Sequence, residues 1–234
     1  MTFFPSTVFA ILGLSALDLA ATSGVVEAAG RPIVVELFTS QGCSSCPPAN
    51  ANLIELSRRP DVLALSFAVT YWDRLGWKDI FGKPEFTARQ VDYEPGLGQS
   101  GPFTPQFVVE GRGTVVGARL SDIEALIAAQ KIDAGPTMRL TRDRATIGAG
   151  KAPDGGANVW LVRYERGVLD VAVKRGENSD RTLPHGHVVR SLARIGGWTG
   201  DAVEFALTGQ ADGLRTAILV QARHGGPIVS AATD

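Results

Sequence analysis

The hydrophobic rhythm of the chain changes about halfway along. Residues 33–38 read Ile-Val-Val-Glu-Leu-Phe, a nearly unbroken apolar run of the kind a strand needs when both faces are covered. A second such run covers residues 62–69. Between them Ala49, Leu53 and Leu56 recur at helical spacing behind Pro47-Pro48, a pair tolerated only in the first turn of a helix, and Arg58-Arg59-Pro60 ends the element. Residues 84–93 read as an amphipathic helix opened by a proline. Residues 106–110 and 114–116 flank Gly111-Arg112-Gly113, a hairpin signal. Residues 121–131 close the stretch as a helix, with Ser121 at the N-cap and Glu124 three residues on, the spacing of a capping box.

After Ala134-Gly135-Pro136 the pattern becomes short and alternating. Strands are expected at residues 138–140, 145–147, 159–164, 168–173, 203–207 and 216–221, broken by turns such as Ala152-Pro153-Asp154-Gly155-Gly156. That is the signature of an antiparallel sandwich or barrel. A boundary is therefore placed near Gly135, between an α/β part over residues 31–134 and a mainly antiparallel β part over residues 136–234.

The N-terminus differs from both. Residues 8–17, VFAILGLSAL, have the length of a signal-peptide hydrophobic region and are too short to span a bilayer. Val26-Glu27-Ala28 offers small side chains where a signal peptidase inspects the chain, although Met1 to Thr7 carries no Lys or Arg. Residues 1–28 are expected to be an export signal, which implies a periplasmic or secreted protein with no membrane span after its removal. The full length of 234 residues fits one or two globular domains, and a net charge of −1 shows no basic excess, so nucleic acid is not an expected partner.

All the cysteine in the chain lies in Cys43-Ser44-Ser45-Cys46, between the first apolar run and the first helix. A thiol at a helix start is favoured as thiolate by unpaired backbone N–H groups and the helix dipole. A disulfide stabilises mainly by closing a long loop, and a two-residue gap closes almost none, so the pair points to function rather than stapling.

The order of strand, Cys43-x-x-Cys46, helix, strand and then Phe103-Thr104-Pro105-Gln106-Phe107 resembles the thioredoxin-like superfamily over residues 31–131. The resemblance implies a central mixed sheet flanked by helices, Cys43 as nucleophile, Cys46 as resolving thiol, and Thr104–Pro105 as a cis peptide opposite them. It implies no cofactor, and protein or small-molecule thiols and disulfides as partners. The chain departs from thioredoxin in having Gly42 before the first thiol, Ser-Ser between the two and Pro47 after the second. Glu36, the only acid of the first run, lies one residue out of register with the buried aspartate that takes the resolving thiol's proton in thioredoxins; it is either that acceptor or a partly exposed strand acid. Asp73 is placed to approach the thiols, and Trp72 and Trp77 fit either a partner groove or a packed loop. With Phe38 to Gly42, Pro47-Pro48-Ala49, Tyr71-Trp72-Asp73, Leu75-Gly76-Trp77, Arg89-Gln90, Tyr93, Gly176-Glu177-Asn178, Arg181-Thr182-Leu183 and Gly196 to Gly200, the chain is most similar to the secreted bacterial family known as domain of unknown function 1223. That family brings no assigned activity.

His185 and His187 bracket Gly186 in what reads as a polar loop, and His224 as a turn residue. With the two thiols the first pair could hold Cu(I) or Zn, but nothing in the spacing demands it, and a solvated loop is the plainer reading. Glu177, Asn178, Asp180, Arg181 and Arg190 either face the thiols or cap an edge of the β part. The leading expectation is an exported thiol–disulfide oxidoreductase. A metal-handling protein and a non-catalytic partner-binding module are the alternatives.

Overall fold

A computed structural model of the chain describes residues 1–2, 30–132, 135–208 and 213–234. The expected signal-peptide run and its cleavage region lie outside the described residues.

Strand β1 (Ile33–Thr39) leads through the cysteine turn into α1 (Pro47–Leu56), and β2 (Val62–Ala68) follows. Further on come α2 (Pro84–Asp92), the short α3 (Glu94–Leu97), the hairpin β3 (Gln106–Val109) and β4 (Gly113–Val116), and α4 (Leu120–Ala128). The sheet runs β2-β1-β3-β4. β1 and β2 are parallel, in register from Ile33↔Val62 to Thr39↔Ala68, while β3 and β4 are antiparallel to their neighbours. It is the mixed sheet expected.

The strand period of two divides the buried side chains between two layers. Val35 and Leu37 pack with Ala49, Leu53 and Leu56 of α1 and Ile123 and Ile127 of α4. Val34 and Phe38 point the other way, into a cluster with Phe67, Phe86 and Tyr93. That second cluster is completed by residues of the later strands, among them Val162, Tyr164, Ala217 and Leu219.

Those strands are β5 (Met138–Leu140), β6 (Arg144–Ile147), β7 (Ala157–Glu165), β8 (Val168–Val173), β9 (Arg181–Gly186), β10 (Val189–Trp198), β11 (Val203–Ala206), β12 (Leu214–Ala222) and β13 (Ile228–Thr233). They form sheets β10-β7-β12-β13 and β11-β6-β5 and a separate pair β8-β9. All their named pairings are antiparallel. The β8-β9 pair leaves the second sheet and lies against α1, and an isolated bridge from Ser66 to Val188 ties its end to β2.

Three expectations need correction. β9, β10 and β13 are strands where none was read; Pro184 sits within β9 because it faces out of a two-stranded pair, and β10 carries bulges around Arg190 and Ile195. His185 is accordingly not in a polar loop but buried in β9. Helix α4 starts two residues earlier than its capping box suggests: Arg119 is the N-cap, with no side-chain cap bond. Leu120 packs against the core there, and burial of that side chain outweighs a serine cap worth about 1 kcal/mol.

Candidate active site

Cys43 and Cys46 are joined by a disulfide. The local backbone follows from the two prolines behind them. In a helix the N–H of residue i bonds the carbonyl four residues back, so Pro47 and Pro48 can donate nothing to Cys43 O or Ser44 O. The helix therefore begins at Pro47, with Cys46 as its N-cap, and Cys43 sits one turn ahead of it rather than at the helix start. Cys43 O is met instead by Cys46 N at 3.2 Å, and Asn50 N bonds Cys46 O at 3.1 Å. Ser44 and Ser45 are exposed, whereas both cysteines are fully buried. Ser45 Oγ lies 3.3 Å from Cys43 Sγ.

Thr104–Pro105 is a cis peptide. Trp72 joins it to the thiol turn: its Nε1 donates to Thr104 Oγ1 at 2.7 Å, and its Cβ lies where a side chain on Gly42 would begin, 3.3 Å from an ideal Cβ there. Gly42 thus accommodates Trp72 of the same chain. Trp77 Nε1 donates to Gln41 Oε1 at 2.9 Å, so both tryptophans pack against the turn.

The acids fall differently. Both carboxylate oxygens of Glu36 are engaged by Arg89, at 2.6 and 3.1 Å, and Tyr93 OH also donates to it. They lie with Val34 and Phe38 on the sheet face opposite α1, as the register demands. Asp73 Oδ1 accepts from Asp79 N at 3.1 Å. It is Asp79, not singled out from the sequence, that reaches the thiol turn: Oδ2 accepts from Gln41 N at 2.7 Å and Oδ1 from Phe81 N at 2.8 Å. Burial pushes the Asp79 carboxyl up to about 6, against the lowering effect of those amides and with a further rise from Asp73.

Of the two readings of the polar group in the β part, Glu177 and Asn178 follow the one that faces the thiols. Asn178 Nδ2 donates to Gln41 O at 3.0 Å and Cys43 O at 2.9 Å, and Glu177 Oε2 accepts from Ser44 N at 3.0 Å. Of the polar group singled out there, Arg181 supports this contact by donating to Asn178 Oδ1 at 2.7 Å, while Arg190 pairs with Glu165 at 3.4 Å. Asp180 carries a positive φ of 61° at the end of the same loop. Behind α1, Asn50 Nδ2 lies 3.4 Å from His185 Nδ1, and Thr39 Oγ1 donates to Asn50 Oδ1 at 3.0 Å. Burial pulls the His185 imidazole down to about 4, which Asp170 only partly offsets. His187 Nδ1 lies 2.9 Å from Ala64 O, and His224 sits in a turn with φ of 56°. Among the described residues no group of three or more His, Cys, Asp or Glu is placed to hold a metal ion, and no helix is long and apolar enough to cross a membrane.

Fold and site together define a mixed α/β protein with a disulfide-bonded Cys-x-x-Cys turn between a parallel strand and a helix, overlaid by a β-rich second part. The chain belongs to the family described as Protein of unknown function (DUF1223), which matches residues 34–221. It is similar to Protein AGR_C_4864 from Agrobacterium tumefaciens, a crystal structure with 32% identity and a TM-score of 0.72, over 88% of this chain and 95% of that one. HBP35 of Porphyromonas gingivalis shares the fold at 15% identity and a TM-score of 0.54, over 87% of this chain and 74% of that one. No curated protein matches the chain.

Proposed function

We propose that the protein is an exported thiol–disulfide oxidoreductase, with a thioredoxin-like half over residues 31–134 carrying the Cys43–Cys46 pair and a β-rich half over residues 136–234 packed on it. The observation that carries this reading is the joint placement of the disulfide turn and the cis Thr104–Pro105 peptide, linked through Trp72. A staple with a two-residue gap has little stabilising value, so this much supporting structure around one is best explained by exchange chemistry.

The steps balance without a cofactor. In the oxidised protein a partner thiolate attacks Cys43 Sγ, the Cys43–Cys46 bond breaks, and Cys46 leaves as a thiolate at the N-cap of α1, where the helix dipole favours negative charge. A second partner thiol then attacks the partner's own sulfur in the mixed disulfide and releases Cys43. Two electrons and two protons have moved from the partner to the pair. In reverse, the Cys43 thiolate attacks a partner disulfide and Cys46 resolves the mixed species. Thr104 and Pro105 shape the surface beside Cys43.

Cys43→Ser is expected to abolish exchange, and Cys46→Ser to accumulate partners joined to Cys43, seen as higher-mass species that excess dithiol releases. Absence of turnover with any dithiol or disulfide across a range of redox buffers overturns the proposal.

A further inference from the structure

The loop that joins β8 to β9 covers the thiol turn, and its contacts fall on main-chain groups. Gln41 O and Cys43 O accept from Asn178, and Ser44 N donates to Glu177. These alternating acceptors and donor flank the nucleophilic sulfur, and they are what an extended polypeptide would otherwise engage as it approached. The loop is also built to hold that pose. Asp180 N bonds Val173 O at 2.9 Å across its base, and Arg181 fixes the Asn178 amide so that its NH2 faces the turn. Gly176, with φ of 79°, lets the loop backbone settle on Trp77, whose Cβ is 3.3 Å from where a Gly176 Cβ would be. Asn178 is wholly buried, and so is Cys43 beneath it.

We propose that Glu177 and Asn178 are specificity determinants of the thiol site: they latch the β8–β9 loop over Cys43, admitting small thiols and excluding protein partners until the loop lifts. This rests on the exchange reading above. A small dithiol needs only a local opening to reach Cys43 Sγ, whereas a folded protein needs the whole loop displaced, so the latch costs the larger partner more. The pair of Asn178 bonds is buried and carries most of the hold. The Glu177 bond is exposed and screened by salt, so its share is smaller.

The test uses the full oxidised chain and follows single-turnover reduction of the Cys43–Cys46 bond by dithiothreitol and by reduced thioredoxin. In each case the reductant becomes an intramolecular disulfide and the chain gains two thiols. Asn178→Ala is expected to raise the rate with reduced thioredoxin, relative to that with dithiothreitol, about tenfold, the scale of two lost hydrogen bonds. Glu177→Gln, at an exposed position that leaves the fold intact, is expected to raise the same ratio about threefold at low salt and less at high salt. A ratio unchanged in Glu177→Gln and in folded Asn178→Ala overturns the latch. Because the assay needs no catalytic turnover, a shifted ratio in a protein that turns over no substrate would keep the latch and remove the oxidoreductase reading.

Discussion

Asp79 and His185 are each one hydrogen-bonded step from the thiol segment, Asp79 through Gln41 N and His185 through Asn50, and burial favours the neutral form of each. Their effects on stability have opposite signs. The Asp79 carboxyl is raised from 3.8 to about 6 in the folded chain, so its stabilising contribution is complete below pH 3.8 and is lost as the pH rises through about 6. The His185 imidazole is lowered from 6.5 to about 4, so its contribution is complete above pH 6.5 and is lost as the pH falls through about 4. Each is on the order of 3 kcal/mol at its full extent. In wild-type protein the two partly cancel between pH 4 and 6.5, so they are best read one variant at a time. The Tm of wild type minus that of Asp79→Asn is expected to fall between pH 4 and 7, and the same difference against His185→Gln to rise; parallel melting curves would remove the assignment. The sequence did not point to Asp79, and it pointed to His185 only as a loop residue or a metal ligand. His185 stands in Leu183-Pro184-His185-Gly186-His187, which reads as a polar loop, and Asp79 follows an exposed Lys78. His185 packs on Phe81, far back along the chain, and Asp79 bonds Gln41, 38 residues before it, neither of which local pattern reports.

At the scale of elements, the cysteine turn and α1 were legible because proline and periodicity both act locally. Pro47 marked the helix start, and Ala49, Leu53 and Leu56 its buried face. The same prolines undo part of what the sequence suggested about the thiols. A helix N-terminus stabilises a thiolate through its free amides, yet the first two helical residues have no N–H to offer. Ser44 N is already held by Glu177, and the Ser45 hydroxyl, 3.3 Å from Cys43 Sγ, can donate to a Cys43 thiolate. Ser45→Ala is therefore expected to slow alkylation of the reduced protein by iodoacetamide near pH 6.5 by about threefold or more, the scale of one hydrogen bond to a charged group. An unaltered rate would mean that the dipole of α1 alone sustains the thiolate. β9 and β10 escaped the sequence pattern for a related reason. Their outward residues include Arg190, Arg194 and Pro184, and their inward ones are too few and too interrupted by glycine to show a period of two.

The whole molecule is held by a core that both parts of the chain share. Phe38, Phe67, Phe86 and Tyr93 from the first part and Val162, Tyr164, Ala217 and Leu219 from the second form one buried cluster. Arg89 is its polar centre. It pairs with Glu36 of β1, donates to Gln221 of β12 at 3.1 Å, and has its guanidinium 5.6 Å from the ring centres of both Phe67 and Trp160. Burial opposes the charge on Arg89, and Glu36 and Tyr93 outweigh it, leaving the guanidinium above its ordinary pKa. An isolated acid in an apolar strand was visible in the sequence, but Arg89 lies 53 residues from Glu36, and Gln221 lies 132 residues beyond Arg89, out of reach of any local pattern. Removing the cation alone leaves a buried carboxylate without its counter-charge and with only Tyr93 OH donating to it, a change that costs about 3–5 kcal/mol. Arg89→Met is thus expected to lower the urea midpoint sharply, while Glu36→Gln combined with Arg89→Met recovers part of the loss, because the double variant buries no unpaired charge. The shared core also sets the form of the transition. Tryptophan fluorescence and far-UV circular dichroism should report one coincident unfolding curve for the wild-type chain, since neither part can expose its face of the cluster without stripping the other. Two separated transitions in the wild-type chain would show that the parts are held by their own cores, with the Glu36–Arg89 pair only a local contact between them.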